Sequence, residues 1–134
     1  MRLTERNRLA VLLLLYLAAS LLHFAHNAEF LGDYPDLPAW LTRSRVYFAG
    51  AGLAAIGVGG FALHVRGSQF SGLMLIGLYA TFGFDGLLHY SRAPFDAHTV
   101  GMNLTIWFEV AAAAALLVAV AFATARNLPA RRAR

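Results

Sequence analysis

The chain contains no cysteine and no lysine, and only 13% of its 134 residues are charged. Without cysteine, a disulfide framework, a thiolate zinc site, an iron–sulfur cluster and a cysteine nucleophile are all excluded. All eleven basic residues are arginine, gathered mainly at the two ends, so the positive excess describes membrane flanks better than a nucleic-acid face. A DNA or RNA partner is not expected. Against the scarce charge stand 59% hydrophobic residues and a mean hydropathy of +0.58. A soluble domain is roughly half apolar and a quarter charged, so this composition excludes a small soluble domain as well.

Four apolar segments reach spanning length, since roughly 20 residues at ~1.5 Å per residue cross a ~30 Å hydrocarbon core. They cover about 9–26, 46–65, 70–90 and 99–124, with an interfacial loop over 27–45. The expected fold is an all-α integral membrane protein: a single four-transmembrane-helix bundle over residues 1–134, multi-pass in a cell (inner) membrane. Arg2, Arg6, Arg8, Arg66, Arg126, Arg131, Arg132 and Arg134 fall on one side of such a bundle, and only Arg43, Arg45 and Arg92 on the other. The positive-inside rule then puts both termini in the cytoplasm. Arg2, Arg6 and Arg8 ahead of an apolar run also fit a signal peptide, but the run is longer than a usual signal core. In the loop, Gly32, Pro35 and Pro38 break the backbone, and Tyr34 and Trp40 suit the headgroup level. Ala51, Ala55 and Gly59, at four-residue spacing, predict a small-residue seam where a second helix approaches closely.

Ionisable groups inside a bilayer are costly and by default mark function. Here most of them gather toward one side. The first helix delivers His23, His26, Asn27 and Glu29; the third delivers Asp85 and His89; the fourth begins at His98 and carries Asn103. His64 alone among the five histidines lies toward the other side. Residues three or four apart share a helix face, so His23 pairs with His26 and Asn27, and Asp85 pairs with His89. His98, Met102, Thr105 and Glu109 form one stripe, which is expected to face the bundle interior and carry Glu109 toward the midplane. An acid at that depth needs a partner.

Imidazole and carboxylate donors without thiolate suit zinc, iron, manganese or copper, and a bundle can collect them from facing helices. The expected metal ligands are His23, His26, Asp85, His89 and His98, with Asn27, Glu29, Asn103 and Glu109 as further polar groups that bind or orient. Asp85, His89 and His98 form an Asp-x-x-x-His pattern followed by a nearby His. Over about fourteen residues it resembles the intramembrane copper site of the particulate methane monooxygenase C subunit, with the third ligand closer in sequence here; the rest of the chain does not extend the resemblance. The leading expectation is a transition-metal site near the outer face, for metal handling or for metal-dependent chemistry on a lipid-soluble substrate. The alternatives are electron transfer through haem b on His23 and His89, a small proton-coupled transporter using Glu109, and an accessory subunit of a larger membrane complex or homo-oligomer.

Overall fold

The computed structural model describes residues 4–127. Arg2, Arg131, Arg132 and Arg134 of the topology argument lie outside them. The described chain is helical, without strands: α1 (Glu5–Glu29), α2 (Arg43–Val65), α3 (Gln69–Phe82), the short α4 (His89–Arg92) and α5 (Val100–Asn127). Glu5–Glu29, Arg43–Val65, Gln69–Arg92 and Val100–Asn127 are each long and apolar enough to cross a membrane.

Local chemistry sets the ends. The hydroxyls of Thr4 and Thr42 accept the backbone N–H of Asn7 and Arg45, capping the starts of α1 and α2. Gly67, with φ at 103°, makes the tight turn into α3 that a residue with a side chain rarely adopts. The loop after α1 runs through a 3-10 turn at Leu31–Asp33, and the loop before α5 through another at Phe95–Ala97.

The helices form a ring in which α1 packs on α2 and α5, and α3 packs on the same two. Across its diagonal, Tyr16 of α1 meets Tyr79 of α3 with ring centroids 4.4 Å apart, and its hydroxyl donates to the Tyr79 carbonyl at 3.1 Å. Such bonds between membrane helices contribute about 0.6 kcal/mol on average. Around the tyrosines, Leu9, Leu13, Leu73, Ile76, Leu116 and Val120 fill the half of the bundle nearer the chain termini. The outer surface is apolar too, with Leu14, Phe48, Trp107 and Phe122 exposed, in keeping with helices long and apolar enough to cross a membrane.

Two sequence expectations change. Ala51, Ala55 and Gly59 are exposed, whereas Gly50, Gly57 and Gly60 are buried. Close approach happens on that second face: Gly50 sits under Phe24, Gly57 under the Tyr79 ring, and Gly60 against Gly72 of α3. Spacing alone finds small residues but not the side of the helix that meets a neighbour. The third segment is also not one continuous helix. α3 stops at Phe82, the chain passes through a 3-10 turn at Asp85–Leu88, and α-helix resumes only for the single turn of α4. Gly83 and Gly86 bracket this break. A side chain at Gly83 would collide with Tyr16 and Ala113, so the chain there must come close to both neighbours.

Candidate functional site

The break places backbone beside two buried ionisable side chains. His23 of α1 and Glu109 of α5 face each other with Nε2 and Oε2 3.6 Å apart, their side chains 4% and 2% exposed. A Cβ on Gly86 would stand 3.6 Å from that Glu109 oxygen and 3.8 Å from that His23 nitrogen, so the glycine lets the irregular segment close over the pair. One turn from His23, buried Ser20 continues the polar side of α1 toward Tyr79 and Glu109. Beyond it lies the apolar core, which seals the pair from the end bearing the chain termini.

Toward the loops the polar groups continue. The Asn27 amide N–H donates to His23 Nε2 at 3.0 Å and lies 3.5 Å from His89 Nε2. The His89 ring centroid is 5.7 Å from that of His23, 4.9 Å from Tyr34 and 6.1 Å from His98. Tyr34, buried at 4% exposure, is hydrogen-bonded through its hydroxyl to His26 Nδ1 at 2.8 Å. Burial pushes the Tyr34 phenol up to about 12, so the hydroxyl stays neutral at ordinary pH. A file of side chains, His26, Tyr34, His89, Asn27, His23, Glu109, thus runs from the loop end into the bundle.

Donor and acceptor roles in this file are constrained. Because Asn27 donates to His23 Nε2, that nitrogen presents its lone pair, and the same face of the ring looks at a carboxyl oxygen. Two lone pairs 3.6 Å apart in a low-dielectric interior repel unless a positive charge or a proton stands between them. His23 Nδ1, Asn27 Oδ1 and His98 Nε2 are buried without a hydrogen-bond partner among the described residues. Each such atom costs about 1–3 kcal/mol, and the hydroxyls of Tyr79 and Thr124, outside this file, are in the same position.

The structure therefore brings together His23, Asn27, His89 and Glu109. The stripe of His98, Met102, Thr105 and Glu109 faces inward as expected, all four being buried. His26 and His98 lie at the rim with partners of their own, Tyr34 for the first and the Pro94 carbonyl, 3.0 Å from Nδ1, for the second. Asn103 accepts from the Tyr90 hydroxyl at 2.7 Å and donates to the Phe95 and His98 carbonyls. Glu29 is turned away toward Arg43 and Tyr47 on α2.

Asp85 makes no hydrogen bond or ion pair to these residues, although its charge is close enough to act on Glu109. It is exposed, and it lies in a 3-10 turn where residues three apart eclipse, so His89 is displaced about a third of a turn from it. The i, i+4 alignment of Asp85 with His89 depends on a continuous α-helix, and the break removes that alignment. Among the described residues, no three His, Asp or Glu side chains gather as a ready-made set for a metal ion. Sequence reasoning missed two participants, the Gly86 backbone and the Tyr34 hydroxyl. Gly83 and Gly86, three apart and flanking an acid in an apolar segment, were the available signal for the first.

No protein-family model, curated protein or solved structure matches this chain.

Proposed function

We propose that the protein is a small proton-coupled membrane protein of transporter type, in which His23 and Glu109 share an exchangeable proton supplied from the loop side. The observation that carries this reading is the buried 3.6 Å approach of His23 Nε2 to Glu109 Oε2 beside an interrupted membrane helix. Irregular backbone at membrane depth is tolerated where it is buried in protein or lines a polar cavity, and broken helices mark the binding sites of many transporters. His26, Tyr34, His89 and Asn27 line the way between the pair and the loop end, and the imidazoles of His26 and His89 are the groups along it that can take up and release a proton. The dry core around Tyr16, Leu73, Ile76 and Leu116 closes the opposite side, so exchange in this conformation is one-sided, as alternating access requires of any single state. Cavities of about 370, 280 and 400 Å³ lie elsewhere, and neither His23 nor Glu109 lines them.

A transition-metal ion is the second reading, favoured by the same separation. Bonds of about 2.1 Å at a tetrahedral angle put two ligand atoms about 3.4 Å apart, close to the spacing of this pair. His89 would then move in as a third ligand, and Asn27 would turn its carbonyl oxygen to the ion.

Infrared difference spectroscopy of the protein in vesicles, stepped between acidic and alkaline medium, tests the first reading. A protonated-carboxyl band that responds to the step and vanishes in Glu109→Gln is the expected result; a carboxyl spectrum untouched by that substitution overturns it. Elemental analysis of the same preparation separates the second reading. One tightly held zinc, copper, iron or manganese per chain, lost in His23→Ala, would replace the proton by a metal.

A further inference from the structure

We infer that the groove between α1 and α5, at the end of the bundle bearing the chain termini, holds one anionic phospholipid. This cavity of about 370 Å³ lies far from the His23–Glu109 pair and is graded in polarity along its length. Its mouth carries Arg8 and Arg126, both exposed, and its wall is built from Leu12, Ala115, Ala119 and Phe122. From Ala115 to Arg126 the α5 wall rises eleven residues, or about 16 Å at ~1.5 Å per residue. That is about the depth of one leaflet, half of a ~30 Å hydrocarbon core. The two arginines therefore stand at headgroup level when the alanines stand at acyl depth.

Charge decides which lipid. Arg126 reaches Glu5 at 3.5 Å in an exposed pair, and Arg8 is in no ion pair among the described residues. Among the described residues the mouth thus carries two guanidinium groups against one carboxylate, a net positive charge facing the headgroup layer. A phosphate accepts from guanidinium groups in bidentate geometry, and basic pockets between membrane helices select anionic headgroups in this way. A zwitterionic headgroup brings its own cation to the same place and gains less. The small alanine side chains leave the channel in which an acyl chain lies, while Phe122, 63% exposed, forms one bank of it.

Native mass spectrometry in mild detergent, with equimolar phosphatidylglycerol and phosphatidylcholine offered to the full chain, provides the test. One phosphatidylglycerol per chain should be retained, about fivefold over phosphatidylcholine, the preference that one net positive charge at the headgroup level supplies. The combined substitution of Arg8→Gln and Arg126→Gln should abolish that preference, whereas Arg66→Gln, at the same end but outside the groove, should keep it. Ala119→Trp fills the wall and leaves both arginines, so it should lower retention of either lipid. Equal retention of the two lipids by the parent overturns the inference, as does a double variant no weaker than Arg66→Gln. Retention of several lipids without saturation would mean an unselective annulus and also overturns it.

Discussion

His23 Nε2 stands 3.6 Å from Glu109 Oε2 across the α1–α5 contact, while Asn27, one turn along α1, reaches the same nitrogen at 3.0 Å. The imidazole is thus held between an amide that fixes its tautomer and an acid that it can neutralise only through a shared positive charge. A shared proton or ion makes the two residues energetically interdependent, because each one alone is a buried polar group without its complement. In a double-mutant cycle of His23→Ala and Glu109→Gln, read by thermal unfolding in detergent, the coupling is expected to reach about 1 kcal/mol or more. Additivity within about 0.5 kcal/mol would mean that the two side chains are neighbours without a common charge.

The residues around the pair separate into those that take part and those that do not. Asp85 is exposed and a third of a turn from His89, whereas His89 contacts Asn27, Tyr34 and His98. Asp85→Asn removes a charge near Glu109, so it should shift the position of the carboxyl band without slowing its response to medium pH. His89→Ala removes a member of the file and should slow that response at least several-fold. If the two substitutions act alike, the break in the third segment does not separate them and the α-helical spacing of Asp85 and His89 holds after all.

Much of this is legible in the amino-acid sequence. Hydropathy alone marks the four segments, because twenty apolar residues in a row have few other uses. The inward stripe from His98 to Glu109 follows from helical period, and the His23–Asn27 contact from i, i+4 spacing. Depth is legible only to about one turn: His23 lies six residues from the end of α1 and Glu109 nine from the start of α5, or about 9 and 14 Å along the axes. The partnership itself is not, because it depends on how α1 and α5 are rotated about their axes. The break that takes Asp85 out of line with His89 is hidden for a different reason. Nothing in an apolar run tells a period of 3.6 from one of 3.0, so the 3-10 turn between Gly83 and α4 hides inside a good hydropathy profile. The seam on α2 fails likewise, since small residues occur on both of its faces and only packing selects Gly57 and Gly60.

Tyr34 offers a test outside the four long apolar helices. Its phenol is raised from an ordinary value of 10.0 to about 12, chiefly by burial. The neutral form is the one the fold favours, so its contribution to stability is complete below pH 10 and is lost as pH rises through about 12. Alkaline absorption titration should show one tyrosine ionising near the upper end of this range that is absent from Tyr34→Phe. The parent should also lose stability more steeply than Tyr34→Phe across the same window. Ionisation of Tyr34 near its ordinary value would mean that the loop does not cover His26 and His89 as described.

The last prediction concerns the packing on which the site depends. At the α2–α3 crossing, a Cβ on Gly72 would lie 2.6 Å from the Gly60 carbonyl oxygen and 2.7 Å from the His64 Cα, both backbone atoms that cannot swing aside. Gly72→Ala must therefore push the two helices apart, and overpacking of this kind costs about 1–3 kcal/mol or more. Gly52 and Gly59 lie on the outward face of α2, where an added Cβ meets nothing within 4 Å. There the substitution only removes backbone freedom, and Gly52→Ala or Gly59→Ala should raise stability by up to about 1 kcal/mol. Thermal midpoints in one detergent distinguish the two classes. The inward-facing variant should also disturb the carboxyl band of Glu109, because α3 leads directly into the break at Gly83 and Gly86 that closes over the pair. If Gly59→Ala destabilises as much as Gly72→Ala, the face of α2 carrying Ala51, Ala55 and Gly59 meets another helix, and the rotation of α2 described above is wrong.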